Sequence, residues 1–70
     1  MMQVATIHFT DLDCGDEAVA LVRVVGDTTG LALSLRGNGD IEVFLGAQEL
    51  DRLIEALQKA RAALPGVKPV

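Results

Sequence analysis

Asp11, Asp13, Cys14 and Asp16, with Glu17 directly behind them, form the densest group of reactive side chains in this sequence, and His8 stands just ahead of them. Carboxylates in such a run can hold a cation. A calcium loop opening at Asp11, however, would need an oxygen ligand where Gly15 stands, glycine where Asp16 stands and glutamate where Val22 stands. All three positions fail, and the run reads as a solvated acidic turn. A thiolate nucleophile with a histidine base is the second chemistry. Activating Cys14 would take an electropositive setting, whereas its four acidic neighbours hold the thiol protonated. One cysteine and one histidine exclude both an internal disulfide and a closed zinc site of the usual ligand set.

The glycine pairs offer no phosphate chemistry. Neither Gly26 and Gly30 nor Gly37 and Gly39 lie between a strand and a helix, and no lysine followed by serine or threonine comes after them. Both groups read as turns. Gly46 does open a helix, but Glu49 and Asp51 already occupy the positive end of its dipole. The sequence therefore predicts no catalytic residue, no metal and no cofactor.

The elements that position these residues follow from periodicity. Residues 4–10 alternate, with Ala5, Ile7 and Phe9 against Val4, Thr6 and His8. Residues 18–25 are almost continuously apolar, broken only by Arg23, as in a strand covered on both faces or a strand at a subunit interface. Residues 26–30 read as a turn. Residues 31–36 alternate Leu31, Leu33 and Leu35 against Ala32, Ser34 and Arg36. After the loop at 37–40, Ile41, Val43 and Leu45 continue the inner face, with Glu42 and Phe44 outside. A helix is expected over 48–64, with Gly46 as N-cap, Glu49 reaching back to the open amides, and Pro65-Gly66 ending it. Its stripe is Leu50, Leu53, Ile54, Leu57, Ala60 and Leu64. The expected fold is α+β: a four-stranded antiparallel meander with one C-terminal amphipathic helix packed on one face, in a single domain over 1–66 with a frayed tail over 67–70.

Composition bounds the rest. Seventy residues make one domain with a modest core. With Phe9 and Phe44 as the two aromatic residues, that core is aliphatic. An apolar strand at 18–25 and an outer face carrying Phe44 predict self-association, most simply as a homodimer. The sequence lacks a basic segment followed by an apolar one at its start and any membrane-length apolar run, which predicts a cytoplasmic protein, of a bacterial cell or a host cell.

Six basic against ten acidic residues give a net charge of −4, which favours a basic partner over nucleic acid or an anionic membrane. The function expected is that of a small noncatalytic protein-binding module, an adaptor or an inhibitor of a larger protein, with a nucleic-acid-binding protein as one candidate target and a phage or mobile element as one candidate source. The residues expected to meet the partner are Phe44, Arg36, Glu42, Asp11, Asp13, Asp16 and Glu17. The alternative is single-stranded nucleic-acid binding: in general plan, a sheet followed by a C-terminal helix is similar to the PC4-like and Whirly folds. That similarity implies a dimer with a basic, aromatic sheet surface, for which Arg23, Arg36 and Phe44 are the available residues.

Overall fold

A computed structural model describes residues 2–66; the tail expected over 67–70 lies outside the described residues. Four strands and a helix follow in chain order: β1 (Met2–Thr10), β2 (Glu17–Val25), β3 (Thr28–Leu35), β4 (Gly39–Leu45) and α1 (Ala47–Ala63). The strands form one antiparallel sheet in the order β1-β2-β3-β4. This is the expected ββββα arrangement.

Register sorts the side chains onto two faces. The rows Phe9–Ala18–Leu35, Ile7–Ala20–Leu33–Ile41 and Ala5–Val22–Leu31–Val43 lie on the inner face and are wholly apolar, and the next row adds Val24, Thr29 and Leu45. A register shift between Gln3 and Ala5 interrupts β1 near its start. The connection between β2 and β3 is shorter than expected. Only Gly26 and Asp27 lie outside the strands, with Gly26 left-handed at φ +61°, so Thr28, Thr29 and Gly30 belong to β3. A glycine first in a two-residue connection suits the tight hairpin turns that match strand twist.

The helix starts as the sequence predicts. The Gly46 N–H donates to Glu49 Oε1 at 3.1 Å, and Leu64 leaves the helix with an extended backbone ahead of Pro65. Its packing is much slighter than expected. α1 approaches β3 and β4 and neither β1 nor β2. Leu33, expected beneath the helix, is 48% exposed, and Ile41 is 62% exposed. The reason lies in the junction: one extended residue, Gly46 (φ −76°, ψ 176°), does not turn the chain back over the strands. Helices that fold back onto a sheet ordinarily have two to six residues in which to do so. Ala18 is the one buried hydrophobic residue among those described.

Candidate functional site: the outer face of the sheet

The outer face is organised in cross-strand rows. One row runs Gln3, Arg23, Gly30, Phe44 from β1 to β4, and the next includes Leu21, Ala32 and Glu42. Because Gly30 has no side chain, the space above β3 is open, and side chains from both neighbouring strands meet there. Arg23 reaches from β2 across β3 to Glu42 on β4, its Nε donating to Oε2 at 2.9 Å and Nη2 to Oε1 at 2.8 Å. Its guanidinium carbon lies 5.7 Å from the centroid of the Phe44 ring, within reach of a cation–π contact. Gly30 is buried beneath these groups, while Phe44 keeps 53% of its surface exposed. The outcome is an aromatic ring held in place from below by backbone and from one side by a fixed charge, with its remaining surface free to meet another molecule.

The other expected partner residues sit at the opposite end of the sheet. Arg36 pairs with Glu17 at 3.2 Å, an exposed bridge with both side chains at least three-quarters accessible. Beside it is the β1–β2 loop. Asp11 is committed to that loop's shape: its Oδ2 accepts the amides of Asp13 (3.1 Å) and Cys14 (2.9 Å), and its own N–H donates to the Asp16 carbonyl. Hydrogen bonds from Cys14, backbone first, lower the Asp11 pKa below its usual value. Asp13 and Asp16 are exposed, as is Leu12, whose side chain is 99% accessible at the tip. Thus Phe44 and Glu42 form one cluster, and Asp11, Asp13, Asp16, Glu17 and Arg36 a second. Four residue steps, about 13 Å, separate the Glu42 row at Ala32 from Arg36 just past the end of β3.

Cys14 lies in the acidic loop and His8 on the outer face opposite Val19. The Asp16 backbone favours the thiolate, but the Asp11 carboxylate, desolvation and the charges of Asp11 and Asp16 outweigh it, and the thiol pKa is raised. Among the described residues, no three His, Cys, Asp or Glu side chains are grouped so as to hold a metal ion, and no helix is long and apolar enough to cross a membrane.

Sequence reasoning named Arg23 only for the nucleic-acid alternative, missing its pairing with Glu42, and missed Gly30 altogether. Arg23 was visible as the one charge inside an apolar run, and an arginine in such a run needs a counter-charge within reach. Gly30 carried no such signal, because a glycine after Thr-Thr reads equally as the end of a turn. Comparison with known proteins adds no family: no family model matches the chain, and no curated protein or solved structure matches it significantly.

Proposed function

We propose that this chain is a small noncatalytic protein-binding module, an adaptor or an inhibitor of a larger protein, that docks through its outer sheet face. The observation that carries the reading is Phe44, half exposed yet fixed by Gly30, Arg23 and Glu42. A preordered aromatic side chain loses little freedom on binding, and such anchors dominate interface energetics. The exposed Asp13, Asp16 and Glu17 at the far end of the sheet steer a basic partner toward the face and contribute to rate more than to residence time.

Single-stranded nucleic acid is the second candidate ligand, because an arginine stacked near an aromatic ring on a sheet is also a base-stacking platform. Weighing against it, Arg23 faces Glu42 and Arg36 faces Glu17, so carboxylates offset the positive charge where a phosphate would sit. The test is affinity capture from the native host with wild-type and Phe44→Ala chains, each verified as folded by circular dichroism. A protein retained by the wild type and lost with Phe44→Ala supports the reading. Phe44-dependent retention of oligonucleotide with no protein would replace it with the second.

A further inference from the structure

The inner sheet face and the apolar stripe of α1 are two halves of one core that meet within the chain only where α1 approaches β3 and β4. Ile7, Phe9, Ile41 and Val43 stand 45–62% exposed on the sheet, and Ile54 and Leu57 stand 44% and 59% exposed on the helix. Their dimensions correspond. A helix of 17 residues is about 25 Å long, and four strands span roughly 19 Å. The helix is therefore long enough to cover the whole sheet, yet the single extended Gly46 prevents it from reaching β1 and β2 of its own chain.

Surface area measures the consequence. The chain exposes 5759 Å², whereas a compact monomer of 7.4 kDa exposes about 4,200 Å². Its radius of gyration is 13.8 Å, against about 11 Å for a compact chain of this length. The surplus, roughly 1,500 Å², exceeds the roughly 800 Å² per partner of a standard protein interface. It is enough to support a stable dimer.

We propose that a second copy of this chain covers the inner face, the two copies exchanging their helices about a two-fold axis. Each α1 then lays Leu53, Ile54 and Leu57 across the other copy's sheet. One sequence carries both the helix and its receptor, so a single symmetry operation satisfies both surfaces at once. A short hinge that forbids closure within the chain is the usual origin of such an exchange. The outer face stays open in this dimer, which thereby displays two Phe44 anchors and can bind a repeated target bivalently. The proposal rests on the inner face alone and does not depend on the outer-face reading.

Sedimentation equilibrium of the full chain across micromolar concentrations tests it. The expected mass is twice 7.4 kDa. Leu57→Asp, which places a charge in the exchanged contact, is expected to weaken the dimer at least tenfold. Should that variant not fold, a second one decides: a flexible insertion of about four residues after Gly46 gives the helix room to fold back on its own sheet. It is expected to yield a folded monomer with unchanged helical circular dichroism. A monomeric wild type overturns the proposal, and so does a dimer that keeps its affinity with the lengthened hinge.

Discussion

The Phe44 ring rests on Gly30 of the neighbouring strand so closely that a β-carbon on Gly30 would stand 3.0 Å from Cε2 of the ring. The same atom would be 3.2 Å from Cγ of Arg23 and 3.3 Å from Oε2 of Glu42. Gly30 is thus the floor of the outer-face cluster. Gly30→Ala is expected to lift the ring and loosen the Arg23–Glu42 pair. Alanine also suits a strand better than glycine by roughly 0.5–1 kcal/mol, so global stability should change little. Partner affinity, by contrast, should fall toward that of Phe44→Ala. Phe44 ring proton shifts, read beside the unfolding midpoint, check both. Unmoved ring shifts would mean that the floor has no role.

The Arg23–Glu42 and Arg36–Glu17 ion pairs should differ in worth according to their exposure. Arg23–Glu42 is bidentate and each side chain is about two-thirds covered, so a double-mutant cycle should give a coupling near the upper end of the exposed range, about 1 kcal/mol. Arg36–Glu17, largely solvated, should give close to zero. Urea unfolding of the two cycles at low and high salt measures the difference.

The acidic loop should respond to pH through Asp11. Its carboxyl is held below the usual 3.8 by hydrogen bonds from Cys14 and Asp13. The loop contacts are therefore complete above that value and are lost as pH falls through the lower one. Protection of the Cys14 amide, its exchange rate relative to the intrinsic rate at the same pH, should be lost only in that acid range, and Asp11→Ala should lower that protection at neutral pH. The raised pKa of Cys14 has a parallel consequence. Alkylation at neutral pH should be slower than for a free thiol peptide, and Cys14→Ser should leave partner binding intact.

Most of the fold is legible in the sequence because each element carries its own period. Alternation set the inner rows, and Gly46, Glu49 and Pro65 marked the helix ends. Coverage of the sheet by the helix was not legible. Hydrophobic periodicity shows that Leu53 and Leu57 need a partner surface, not whether that surface belongs to the same chain. The decision rests on how far one extended glycine can turn the backbone. The site was legible in part. Phe44 and Glu42 alternate outward in β4, but their link to Arg23 crosses an intervening strand. Pairing of that kind depends on the register of β2, β3 and β4, and on Gly30 lying within β3 and not in the turn before it.

Leu33 distinguishes a core completed by a second copy from one completed within the chain. Truncating a fully buried leucine costs about 2–5 kcal/mol, but Leu33 is 48% exposed in the single chain. The full cost of Leu33→Ala should therefore appear only through the dimer. The thermal midpoint of the wild type should rise with protein concentration, as association requires. At any one concentration the Leu33→Ala midpoint should lie lower. Midpoints independent of concentration would place the core inside one chain.

The most direct test of the completed core is isotope-filtered nuclear magnetic resonance on a mixture of labelled and unlabelled chains, unfolded together and refolded. The account predicts intermolecular contacts between the methyl groups of Ile54 and Leu57 on one chain and those of Ile7, Ile41 and Val43 on the other. Finding these contacts only within a chain would contradict it.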